Sequence, residues 1–287
     1  MFFSTFKAAC KNLVRSIPFW LILGILTIIA IYEATKGLYN YYDPNLGEVI
    51  YDTDPRFVLS FAQYVQTVMN ACVSNIMMYG MPLFTVVTTV IILFRDYGDG
   101  FFEIEKSCNM RPINYYLGRI ASLLTVNVIV AFLATALSLY VYVFTRGGVE
   151  ELGLLGLLGD SLIRISRVIL FVAFPCILFY ITFTYAIGCL LKNGIAAAIA
   201  GLGYAIFYYV ANLMFRFRLA KWYFEYLSPL PEKVRSYFHY FGSEWHTTIT
   251  EPGGDSLSHA LVGIGCLIGV SLLYAICSYL RIRKREL

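Results

Sequence analysis

Six stretches of this chain hold no Asp, Glu, Lys or Arg: Ile17–Tyr32, Cys72–Phe94, Ile120–Thr145, Val168–Leu191, Ile195–Phe215 and Ala260–Leu280. A helix needs about 20 mostly apolar residues to cross roughly 30 Å of hydrocarbon. Each charge at its centre costs about 2.5–3.5 kcal/mol on insertion scales. A charge-free window of that length is therefore a membrane span. The first window is the shortest, with an apolar flank that continues past Glu33 and Lys36 to Tyr42. The expected fold is an all-α polytopic membrane protein with about six transmembrane helices. Composition agrees: 59% of residues are hydrophobic and 14% are charged, where a soluble domain carries about 25% charged. A disordered chain needs low hydrophobicity, and a nucleic-acid binder needs a concentrated basic patch, so no nucleic-acid partner is expected.

The windows divide residues 1–287 into one transmembrane domain. An interfacial helix covers 1–16, and spans cover 17–42, 72–94, 120–145, 168–191, 195–215 and 260–280. The connections are an inner loop at 95–119, an outer region at 216–259 and an inner tail at 281–287. The uncharged stretch before the second span reaches back to Phe57, and its Gln63, Gln66, Asn70 and Asn75 mark an amphipathic approach at the outer surface. The basic, apolar N-terminus lacks a small-x-small cleavage site and does not read as a signal peptide.

Lys and Arg near span ends favour the cytoplasm. Lys7, Lys11 and Arg15 precede the first span, and Arg281, Arg283, Lys284 and Arg285 follow the last. Six spans put both ends on one side, so both termini are expected in the cytoplasm. Twelve of the 22 basic residues but only five of the 18 acidic ones then lie inside. At about 100° per residue, Phe2, Phe6, Ala9, Leu13 and Ile17 share one helix face and Lys7, Lys11 and Arg15 the opposite one. That pattern predicts an amphipathic helix in the inner headgroup region, with Pro18 turning the chain into the bilayer.

Two connections are unusual. Residues 216–259 carry Trp222, Tyr223, Tyr226, Phe238, Tyr240 and Trp245, broken by Pro229 and Pro231. Short helices dipping into the outer leaflet fit this better than a free loop, and the aromatics suit an interface anchor or a lid over an exit. The inner loop holds Asp96 and Asp99, which can cap a short helix, then Phe101, Phe102, Glu103, Glu105, Lys106 and Met110. A short helix mixing oil and acid is more than two spans need to be joined, and it reads as a docking surface.

This segment continues as Arg111-Pro112-Ile113-Asn114-Tyr115-Tyr116-Leu117-Gly118-Arg119 into the third span. Acidic residues, a small linker and this Arg-Pro-Ile run resemble the membrane subunits of type 2 ABC exporters. The resemblance covers nearly the whole chain in layout and is motif-specific between Asp96 and Arg119. It implies that Asp99–Met110 is a coupling helix touching an ATPase subunit, with Asp99, Phe101, Phe102, Glu103, Glu105, Lys106 and Met110 at the contact. Glu105-Lys106-Ser107 stands where the family more often has Gly-Thr after the Glu. The resemblance also implies a re-entrant outer loop before the last span. It implies pairing with a second permease subunit, identical or homologous, in a bacterial plasma membrane.

No Gly-x-x-x-x-Gly-Lys-Ser/Thr phosphate loop occurs in the chain, so ATP and Mg are expected on a separate ATPase subunit. No catalytic or metal motif stands out. His239, Glu244, His246 and His259 are irregularly spaced, and Glu150-Glu151 lacks the Arg of a CAAX-type protease a few residues on. The seven cysteines scatter through spans and inner segments, which is not a disulfide framework. The spans carry no buried acid or base, which argues against proton coupling. Ala197, Gly201 and Ala205 repeat every fourth residue, a stripe for close helix packing within the chain or between subunits. Pro82 and Pro175 are candidate kinks. The expected function is export of an amphipathic or hydrophobic cargo, such as a peptide, an antimicrobial or a drug-like compound. The alternatives are a membrane-embedded enzyme and an ATP-independent carrier.

Overall fold

A computed structural model describes residues 2–36, 40–43, 48–51, 80–97, 111–146, 166, 169–214 and 257–284. Among them seven α-helices dominate: α1 (Phe2–Arg15), α2 (Ile17–Lys36), α3 (Met81–Tyr97), α4 (Pro112–Arg146), α5 (Phe174–Leu191), α6 (Gly194–Met214) and α7 (Leu257–Arg283). Three are long and apolar enough to cross a membrane over Pro112–Ser138, Phe174–Leu191 and Ile264–Arg283. The bent pair Phe2–Arg15 and Ile17–Tyr32 counts as a fourth. Six spans are not reached by this measure. α3 has 17 described residues, and the apolar part of α6 is the shorter Gly194–Ile206.

The expectation that the first span runs to Tyr42 is corrected. α2 ends at Lys36, and Asn40–Asp43 pairs antiparallel with Glu48–Tyr51, from Asn40 opposite Tyr51 to Asp43 opposite Glu48. Glu33 and Lys36 close the apolar run, and Tyr41, Tyr42, Val49 and Ile50 suit a strand. The described fold is helical, as expected, with one small hairpin besides.

The elbow between α1 and α2 bends by 68°. A helix end leaves its last carbonyls without partners, and here side chains supply them. Ser16 Oγ and the Ser16 N–H both donate to the Leu13 carbonyl, at 2.8 and 3.1 Å. Trp20 Nε1 donates to the Val14 carbonyl at 2.7 Å. Pro18 sits in the first turn of α2, where its missing N–H costs nothing. α1 buries Thr5, Ala9 and Leu13, one residue per turn along a single stripe. Of the predicted face, Ala9 and Leu13 are buried and Phe6 is half-buried, whereas Phe2 is exposed and Ile17, which belongs to α2, is 75% exposed.

α3 is the hub. Phe84, Val86, Thr88, Thr89, Ile92 and Leu93 are all buried, and α1, α2, α4, α5 and α6 all pack on it. Two of its hydroxyls are satisfied locally: Thr88 and Thr89 donate to the Thr85 carbonyl at 3.0 and 2.8 Å. Asn127 Nδ2 on α4 reaches Thr88 Oγ1 at 3.0 Å and the Leu123 carbonyl at 2.8 Å. Pro82 lies in the first turn of α3. Pro175 follows a π-helical turn over Ile169–Ala173, whose wider spacing accommodates a residue without an N–H. α5 and α6 form a tight hairpin. Lys192 takes a left-handed φ of 54° to end α5, and Asn193 Oδ1 accepts the Ile195 N–H at 2.8 Å to start α6.

Candidate functional site

Residues from five helices meet at one end of the bundle. Arg119, one turn into the buried part of α4, pairs with Asp96 at the end of α3: Nη2 to Oδ1 is 2.8 Å, and the side chains are 1% and 2% exposed. Tyr185 of α5 donates to Asp96 Oδ2 at 3.4 Å. The Arg119 guanidinium lies 5.1 Å from the Tyr115 ring centre, an arrangement in which the ring face attracts the cation. Beside them, the Tyr116 hydroxyl and Ser278 Oγ of α7 lie 2.8 Å apart. The Tyr116 ring contacts Tyr185 and Tyr279 at 5.8 and 6.0 Å between centres.

α1 crosses the same end. A Cβ on Gly118 would lie 2.9 Å from Thr5 Cβ and 3.3 Å from the Phe2 carbonyl oxygen, so only glycine lets α1 settle on α4 there. A Cβ on Gly194 would meet the Phe94 ring at 3.2 Å, which puts the α5–α6 turn against the end of α3. These contacts collect Lys7, Lys11, Arg15, Arg95, Arg111, Lys192, Arg281, Arg283 and Lys284 at one end. Asp96 is the only acid described there, and Arg119 neutralises it.

Two expectations change here. Asp96, expected to cap a short helix, lies in the last turn of α3, where its oxygens bind Arg119 and Tyr185. Nor do the helices lack a buried acid and base, because Arg119 is the largest fully buried side chain among the described residues. α4 is one helix from Pro112, so the end of the expected inner loop is helical, and Arg119 is inside the bundle rather than in the loop. The signal was present in the sequence. Two antiparallel spans joined by a short loop bring their flanking charges to the same depth, and these two have opposite sign.

Asp99, Phe101, Phe102, Glu103, Glu105, Lys106 and Met110 lie outside the described residues, as do Trp222, Tyr223, Tyr226, Phe238, Tyr240 and Trp245. The small-residue stripe is described, and it faces into the chain. Ala197 is buried, and a Cβ on Gly201 would meet Thr184 Oγ1 and Val86 Cγ1 at 2.8 Å. Ala205, half-buried, packs against the cluster of Val86, Val90, Phe179, Tyr180 and Leu267. Among the described residues no group of three His, Cys, Asp or Glu could hold a metal ion. Comparison with family models, with curated proteins and with solved structures finds no match to this chain.

Proposed function

We propose that this chain is the membrane subunit of an ATP-driven exporter, moving an amphipathic or hydrophobic cargo out of the cell. One observation carries the reading. The connection 98–110 leaves the bundle at Tyr97 and re-enters at Arg111, and just inside both points Asp96 and Arg119 lock the two helices together. A loop held this way can pass a push to the bundle as a rigid displacement instead of absorbing it. Tyr185 carries the contact into α5, Tyr116 into α7 and Gly118 into α1. The driving subunit would be an ABC ATPase holding ATP and Mg, and the basic end would face the cytoplasm under the positive-inside rule.

The test is copurification of the chain from its native membrane, probing for an ATPase that carries a phosphate loop. The expected result is that the ATPase stays with the wild-type chain and is lost from a Glu103→Arg/Glu105→Arg variant that still enters the membrane. Normal assembly and export by that double variant would overturn the coupling assignment. Full activity of the isolated chain without an ATPase would overturn the exporter reading in favour of an enzyme or an independent carrier.

A further inference from the structure

The outward face of α1 has no role in the packing just described. Thr5, Ala9 and Leu13 fasten the helix to the bundle. Lys7, Lys11 and Arg15 lie about half a turn away and are exposed, and none forms an ion pair with a described residue. At 100° per residue, Phe3 and Val14 fall on the flank next to this basic row, and they are 71% and 46% exposed. The elbow adds Trp20, 56% exposed, its indole nitrogen tied to the Val14 carbonyl. α2 then turns away with Leu21 and Ile25 exposed along its apolar side.

The order of chemistry matters. A row of cations, an apolar flank, an indole held at the bend and an apolar helix side follow one another across the elbow. An anionic phospholipid presents the matching sequence of phosphate, glycerol and acyl chain. Indoles settle at the headgroup level, and cations on an amphipathic helix attract anionic headgroups. No described carboxylate at this end is left to balance the row, because Asp96 is closed by Arg119.

We propose that Lys7, Lys11 and Arg15, with Val14 and Trp20 beside them, form a binding surface for anionic phospholipids of the leaflet at the basic end. The surface stands on α1 and its elbow alone and does not depend on the exporter reading.

The experiment titrates the detergent-solubilised full chain with phosphatidylglycerol and, separately, with phosphatidylcholine, counting bound lipid by native mass spectrometry. Phosphatidylglycerol should be held more tightly by the wild-type chain. Lys7→Gln/Lys11→Gln/Arg15→Gln should lose at least tenfold of that affinity, since each cation near a surface contributes about fivefold. Phosphatidylcholine binding should not change. Lys7→Arg/Lys11→Arg keeps the charge and should bind like wild type, and hydrogen exchange at residues 5–13 checks that α1 stays docked in every variant. Arg281→Gln/Arg283→Gln removes charge from the same end but not from α1 and should have little effect. Wild-type phosphatidylglycerol affinity in the triple glutamine variant would overturn the proposal. So would an equal loss in the Arg281/Arg283 variant, which would mean diffuse attraction to the whole end. Equal retention of both lipids, with the α1 cations needed only to hold an acidic protein, would assign the face to a protein contact and overturn it too.

Discussion

Replacing Asp96 with Asn while Arg119 remains leaves a guanidinium buried without its counter-ion. Breaking a buried pair from one side costs about 3–5 kcal/mol, whereas apolar replacement of both partners is often neutral. Asp96→Asn should therefore lower the thermal stability of the solubilised chain strongly, and Asp96→Leu/Arg119→Met should recover most of it. If the double variant is as unstable as the single one, the charges are not paired in the way the 2.8 Å contact implies. If the chain is an exporter subunit coupled through this pair, the stable double variant should still bind its ATPase but export poorly. Gly118 makes a second residue-level prediction. Gly118→Val puts a side chain into Thr5 and the Phe2 carbonyl, and backbone cannot give way as a flexible side chain does. Overpacking of this kind costs about 1–3 kcal/mol, and it should appear as faster hydrogen exchange in α1 with α5 unchanged.

At the scale of elements, helix windows were legible because a bilayer leaves so few ways to satisfy a backbone. α4 and α5 fall close to where charge-free runs placed them, and the Lys192-Asn193-Gly194 turn sits where the break in hydropathy put it. α1 was legible from its periodicity, although Thr5 rather than Ile17 completes its buried stripe. The ends were harder. Nothing apolar distinguishes Tyr41 and Tyr42 in a helix from the same residues in a hairpin, and the pair across Asp96 and Arg119 is separated by a loop that local patterns cannot see past. The elbow was visible only as Pro18, yet its geometry depends on Ser16 and Trp20 filling the last carbonyls of α1. Ser16→Ala/Trp20→Phe removes both side-chain donors. Each such bond contributes on the order of 1 kcal/mol, so amides 10–15 should exchange several-fold faster while α2 keeps its protection.

For the whole molecule, the packing groups the exposed cations at one end and sends α2 away from it. Single cysteines at Lys11 and Lys284, placed in a chain whose seven native cysteines are replaced, should react with a membrane-impermeant maleimide from the same side. A cysteine at Asn40, beyond the far end of α2, should react from the other. Labelling of all three from one face would overturn the arrangement. The enclosure of α3 has a further consequence, one of timing. α5 and α6, which wall it in, lie downstream, so during synthesis α3 enters the bilayer before they exist. Its buried face must tolerate lipid for that interval. Thr88 and Thr89 turn their hydroxyls back to the Thr85 carbonyl in their own helix, which needs no neighbour. The helix at the centre of the finished protein thus carries within itself the bonds that let it wait among acyl chains for its partners.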